Sequence, residues 1–435
     1  VPDPKIAAEV ASPVQWKVVE RGHRPSRSSR AVGGVKLLTA LCAAAVLGAG
    51  CTAAPSRGAH APAAASPGVT TAIPAPSPVR TARGRGWRLE YVGDRRGIDL
   101  QAVAASGPRD VWALGGPHEG TGKLLLLHFD GRRWRERPAP EVTWDHRDRE
   151  RFPSLVATGP RDAWIFAATA AVSAHHWDGE RWSRVPLPDM DHNAGEGTGA
   201  TALAPDDVWL TVGDHAAHWD GRTWTAMRLP AWAASVSAVA PDQVWAVGGT
   251  GPPSEQGGSD SQAAAMRWDG RSWRLVPAPE DRTPSLAMNS EGKPDGSVPS
   301  IRLTHVVAHG PGNVWATGTR SDFDYEDGSV TSSIAMHWDG TAWSWVWSPA
   351  EVSASGSDGA GGIILVDQEA GEGGLSGAVR IGPDGGRTGL PRMAGVNRRR
   401  EVEVSAVGAV PGTGTVYAVG VAYGKHFGPM IARYR

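Results

Sequence analysis

The chain has 435 residues with 44 Lys/Arg against 45 Asp/Glu, a formal net charge of −1. That balance gives no basic footprint for nucleic acid. The only two cysteines, Cys42 and Cys51, lie near the N-terminus, so the remainder holds no disulfide and no thiolate metal site.

Residues 1–51 read as an extension followed by an export signal. Arg24, Arg27, Arg30 and Lys36 precede an apolar run from Leu37 to Leu47. A basic start, a short apolar core and small residues before a cut point describe a secretory signal. The run is too short to span a bilayer, which needs about 20 apolar residues. Leu47-Gly48-Ala49-Gly50-Cys51 resembles a bacterial lipobox, whose cysteine becomes the lipidated N-terminus. It departs from that pattern in placing the leucine four residues before the cysteine rather than three. The resemblance implies an extracytoplasmic protein anchored to the cell membrane through Cys51; secretion without an anchor is the alternative. Residues 1–30 are either a cytoplasmic extension or sequence ahead of the true start, and the residues leave both open. Residues 52–85, rich in Ala, Pro, Ser and Thr without apolar periodicity, are expected to form a disordered linker.

From residue 86 to 435 one phrase recurs. A Pro-Asp-Asp-Val-Trp-Ala-Val-Gly-like run surrounds Trp112, Trp164, Trp209, Trp245 and Trp315, and returns in weaker form at Tyr417. A Trp-Asp-Gly-like turn follows the first five, at Asp130, Asp178, Asp220, Asp269 and Asp339. In the unit 234–279, strands are predicted at Val236–Ala240, Val244–Gly248, Ala263–Trp268 and Ser272–Val276, with Asp269-Gly270 as a hairpin turn. Four antiparallel strands in about 45 residues make a propeller blade. A sixth unit without tryptophan is expected around Ile363–Val366 and Ala378–Gly385. A seventh, around Val416–Gly420 and Met430–Arg435, lacks a fourth strand. Gly86–Val92 matches that missing strand and can close the ring, removing exposed sheet edges. The expected fold is an all-β, seven-bladed β-propeller closed by its N-terminal strand, with six blades as the alternative if 351–395 is an insertion.

The Val-Trp-Ala-Val-Gly-Gly strand, with Gly115-Gly116 and Gly248-Gly249 and a Trp beyond the next hairpin, resembles the kelch type of blade found in galactose-oxidase-like propellers. The resemblance covers about 86–435 and implies a fold more than an activity. Galactose-oxidase chemistry needs a Cys–Tyr cross-link, and no cysteine follows residue 51. The turns also lack the spacing of a sialidase Asp-box.

Blade order places the short turns on one face of the ring. The long insertions, at 141–151, 189–199, 250–262, 280–300 and 320–331, fall on the other. Binding residues concentrate on such loops. Trp144-Asp145-His146-Arg147-Asp148 mixes an aromatic ring with both charges, as a carbohydrate or peptide contact would. Asp322, Asp324, Glu326 and Asp327 alternate oxygen ligands as a calcium loop does, without the spaced glutamate of an EF-hand; a solvated acidic loop is the alternative. The histidines before Trp-Asp-Gly (His176, His218, His337) occupy a slot held by Arg267 in another unit, which marks them as structural. A catalytic pair could come only from Asp99, Glu401 and Glu403, near the starts of inner strands. No nucleotide loop, HExxH pattern or nucleophile elbow is present. The reading is a monomeric binding or scaffold module for an extracellular protein, peptide or glycan, with no cofactor unless calcium. The alternative is a polysaccharide hydrolase or lyase acting from the central channel.

Overall fold

The computed structural model describes residues 80–81 and 86–435, apart from 169–170, 191–197, 252–260, 280, 282–297, 325–327, 347–351, 368–376, 392, 394–400 and 425–426. Among them the expected strands form, and the chain is an all-β propeller. The unit singled out above folds as Trp224–Ala240, Gln243–Gly249, Ala263–Trp268 and Trp273–Val276. The tryptophan-free unit is present as well, in Val352–Ser357, Ile363–Asp367, Ala378–Ile381 and Arg387–Leu390. Two residues of the presumed linker, Arg80–Thr81, add a parallel strand to its edge, opposite Thr388 and Gly389.

Six sheets of four or more strands make up the ring, so by sheet continuity it has six blades, the number held as the alternative. Those six sheets carry seven repeats. The strand Trp224–Ala240 pairs with Ala216–Trp219 through its first half and with Gln243–Gly249 through its second, so one six-stranded sheet runs through the Trp209 and Trp245 units. Only Leu229, Pro230 and Ala231 separate Arg228, opposite His215, from Trp232, opposite Gly249, too little chain to leave the extended conformation.

Closure occurs as the repeat fragment predicts. Trp87–Val92 lies antiparallel to Gly428–Tyr434, with Trp87 opposite Tyr434 and Val92 opposite Met430. Trp87 is 5% exposed and its ring lies 5.3 Å from that of Tyr434.

The repeated aromatics hold neighbouring units together. The second-strand Trp of one unit packs against the Trp pair flanking the Asp-Gly turn of the next. Trp164 meets Trp219 and Trp224, Trp209 meets Trp268 and Trp273, and Trp245 meets Trp338 and Trp343, all at centroid distances of 5.3–5.8 Å. Tyr417 takes the same place against Trp134 and Phe129, joining the last unit to the first. In the tryptophan-free unit Ile363, Leu365 and Ile381 receive Trp315 instead. Each such ring buries enough area that truncation to Ala costs about 3–5 kcal/mol.

A second recurring group satisfies the polar edges of these rings. His128, His176, His218 and His337 stack on Trp112, Trp164, Trp209 and Trp315 at 4.1–4.3 Å. The far imidazole nitrogen of each meets the residue of the preceding turn: Asp110 at 2.6 Å, Asp162 at 2.6 Å, Asp207 at 2.9 Å and Asn313 at 3.0 Å. Where the turn carries Gln243, the histidine slot carries Arg267, whose guanidinium lies 5.7 Å from the Trp245 ring centre. The histidine motif is therefore structural. At the neighbouring hairpin, the Asp of Asp-Gly accepts hydrogen bonds from the backbone N–H groups two and three residues on, at 3.0 and 2.9 Å for Asp269. Gly270 takes φ +87, which a side chain would strain. These N–H donors hold the Asp269 carboxyl below its ordinary range.

The double glycine has a steric cause. A side chain at Gly115, Gly248, Gly318 or Gly420 would collide with the backbone carbonyl of Asp99, Trp232, Arg302 or Glu403 on the adjoining inner strand. Each collision sits beside a bulge in that strand.

Candidate functional site: the central channel and its mouth

Seven inner segments, 101–103, 152–155, 198–200, 234–236, 304–306, 352–355 and 405–407, and the second-strand stretch 317–319 surround a cavity of about 430 Å³. Its walls are hydroxyl, amide and small apolar groups. Among the described residues lining it there is no Asp, Glu, Lys, Arg or Tyr, and His305 is the one titratable side chain. Most hydroxyls bond to the wall itself. Ser235 accepts the Val306 N–H at 3.2 Å, and Thr317 and Ser355 bond to each other at 2.7 Å. Enclosure by the ring lowers the pKa of His305 to about 4, although its side chain keeps a surface open to the channel.

The three carboxylates considered for catalysis lie outside this lining. Asp99 is 2% exposed and accepts hydrogen bonds from Ser405 at 3.2 Å and Gln101 at 3.4 Å. Glu403 accepts the Tyr423 hydroxyl at 2.6 Å, and Glu401 stands opposite Tyr423 in register. The long-loop end of the last and first units gathers part-exposed aromatics there. Phe427 lies 4.5 Å from His118, edge to face, and 5.1 Å from Tyr423. Sequence reasoning missed these three. Their signal was faint: aromatic residues in second-to-third-strand loops, from repeats at opposite ends of the chain.

The 141–151 insertion is more ordered than a polar loop. Thr143–Asp145 pairs with Thr121–Lys123, and a 3-10 turn, His146–Arg151, follows. Trp144 is 2% exposed, packed edge-on against Phe152 at 5.0 Å and close over Gly116, so its ring fills the insertion's own core. Asp145 binds Arg147 at 2.8 Å and the Thr121 hydroxyl at 2.7 Å, contacts that hold its carboxyl far below the ordinary range. His146 accepts the Gly120 N–H at 2.8 Å, and Asp148 faces Arg151 at 3.8 Å. Arg147 and part of His146 remain at the surface.

Asp322 and Asp324 lie in the strand Asn313–Asp324. Asp322 is buried against Arg320, which also bonds Asp281 at 2.7 Å. Of Asp324 only the backbone is described, and Glu326 and Asp327 lie outside the described residues, as does Cys51. No group of three or more His, Cys, Asp or Glu side chains suited to a metal occurs among the described residues.

No family model matches this chain, and no curated protein does. Similar solved structures include YCF48 bound to a D1 peptide, 15% identical, with 81% of this chain and 96% of that one aligned at a TM-score of 0.48. An Aleuria aurantia lectin in complex with alpha-methyl-L-fucoside is 14% identical over 73% and 100% of the two chains, TM-score 0.39. A GH74 enzyme of Niastella koreensis is 9% identical over 76% and 65%, TM-score 0.41. The likeness lies in the propeller alone. At these values it assigns neither ligand nor activity, and the kelch resemblance stands on its motifs only.

Proposed function

We propose that this chain is a binding or scaffold module that engages an extracellular protein, peptide or glycan through its long-loop face. The observation that supports this best is the aromatic group His118, Tyr423 and Phe427 beside the channel mouth. The repeat tryptophans are committed to packing between units, whereas these rings lie on the decorated side and keep exposed surface. Aromatic faces next to carboxylates and a histidine suit the C–H faces and hydroxyls of a sugar, or a peptide side chain. Arg147 and His146 extend the same face. The hydrolase alternative requires two carboxylates flanking one bond. The described channel wall offers none, and at the mouth Asp99 and Glu403 already accept hydrogen bonds from Ser405 and Tyr423.

The Phe427→Ala variant tests the reading on a glycan array and in peptide-display selection against the intact propeller. Ligands retained by the parent should be lost at least tenfold by the variant. Equal retention by both would move the site elsewhere. The proposed anchor on Cys51 rests on the lipobox resemblance. Mass spectrometry of the mature N-terminus should find a lipid-modified Cys51, and a free start at Thr52 or later would end that part of the proposal. A membrane-tethered monomer should also elute at monomer size once its lipid segment is removed.

A further inference from the structure

The channel has a property that binding on the loop face does not use. Its cavity of about 430 Å³ falls in the range of small-molecule sites, about 300–1,000 Å³, and has room for about a dozen waters. Its described wall is electrically neutral. A charged ligand would give up hydration there without meeting a countercharge, a cost of several kcal/mol. The polar groups are of the kind that both donate and accept: hydroxyls of Ser154, Ser353 and Thr319, the Gln101 amide and the His305 imidazole. Between them lie Val103, Val236, Val306 and Val407, which offer small apolar faces. Among the described residues neither His305 nor Thr319 makes a side-chain hydrogen bond to the protein, although both line the cavity. Both side chains are only partly buried, so water in the channel reaches them and a ligand's hydroxyls can take its place.

We infer that the central channel binds a small, uncharged, polyhydroxylated molecule of the sugar or polyol class, held by the His305 imidazole and the Thr319 hydroxyl with valine side chains against its C–H faces. Imidazole with one nitrogen donating and the other accepting matches a hydroxyl pair, and flat apolar patches match a sugar ring. This site is separate from the aromatic mouth and does not depend on it.

The test is calorimetric titration of the intact propeller with D-glucose, D-galactose and myo-inositol, alongside glucuronate and glucosamine as charged counterparts. At least one neutral probe should bind saturably in the millimolar range or tighter, and the charged ones at least tenfold more weakly. His305→Ala should weaken the neutral probe about tenfold, or about 1.4 kcal/mol, and Thr319→Val severalfold. His305→Gln, which keeps a donor and an acceptor, should retain most of the affinity. Phe427→Ala should leave it unchanged. If His305→Ala melts early, Thr319→Val and His305→Gln carry the comparison. Absence of saturable binding by all three neutral probes would overturn the inference. So would equal binding of the charged probes, or unchanged affinity in a normally folded His305→Ala or Thr319→Val protein.

Discussion

Removing the carboxylate of Asp110 should destabilise the propeller more than removing its counterparts in other repeats. One oxygen of Asp110 accepts from His128 at 2.6 Å and from Trp112 Nε1 at 3.1 Å, and the other accepts the Ser106 hydroxyl. The side chains of His128 and Asp110 are 6% and 8% exposed. Asp110→Ala therefore leaves an imidazole and an indole N–H buried without acceptors, and breaking one side of such a pair costs about 3–5 kcal/mol. For about 350 folded residues an unfolding entropy of about 2.1 cal/mol/K each makes 1 kcal/mol worth about 1.4 °C. The melting temperature should fall by about 4–7 °C in calorimetry at pH 7.5. The corresponding histidines, His176 and His218, are 27% and 30% exposed, so water can replace the lost acceptor. Asp162→Ala and Asp207→Ala should each cost about half as much. Asp110→Asn should fall between, because Asn313 serves His337 in one natural repeat. A loss below about 1 kcal/mol for Asp110→Ala, or equal losses across the three sites, would refute the argument that burial sets the cost.

Trp87→Ala should lower stability by about 3–5 kcal/mol in denaturant unfolding and expose the Gly428–Tyr434 edge, read as faster amide exchange there. Acidification should weaken the fold in two separate windows. Burial lowers the pKa of His337 and takes that of His305 to about 4, against 6.5 for a free histidine. Between those values the unfolded chain holds more protons, so this stability is complete above pH 6.5 and is lost as pH falls toward 4. His305→Gln should flatten the slope of melting temperature against pH in that window. The turn aspartates act lower still. The Thr341 hydroxyl, with the backbone N–H groups of Ala342 and Thr341, holds the Asp339 carboxyl at about 2, so its contribution is present above pH 3.8 and disappears toward pH 2. Asp339→Ala should remove part of that acid transition, and because the Asp339 charge raises the His337 pKa, its loss should also steepen the first window slightly.

The ring was readable in the sequence wherever one residue type had one job. Tryptophan at fixed spacing, Asp-Gly at each hairpin and the stray match at Trp87 led to the observed strands and closure. Even the tryptophan-free unit showed through Ile363–Val366, because a buried strand still reads as an apolar run. The continuous sheet through Trp209 and Trp245 did not show, since it depends on a three-residue link having no room to turn. Trp144 misled for a different reason. A tryptophan in an irregular stretch resembles a contact residue, but the missing side chain at Gly116 makes the space that buries it. The mouth aromatics were hidden because His118 and Phe427 are 309 positions apart in sequence and meet only when the ring closes.

That closure also dictates when the protein can become itself. Trp87–Val92 is made among the first of the ordered strands, yet its partner Gly428–Tyr434 is made among the last. During synthesis the early strand must wait, unpaired, while every intervening repeat emerges. Contacts of such sequence separation form slowly, because the loop entropy is spent before the contact rewards it. The final rate-limiting event should then be the docking of one short strand. A chain halted before residue 428 would carry six nearly finished repeats and a ring that cannot lock.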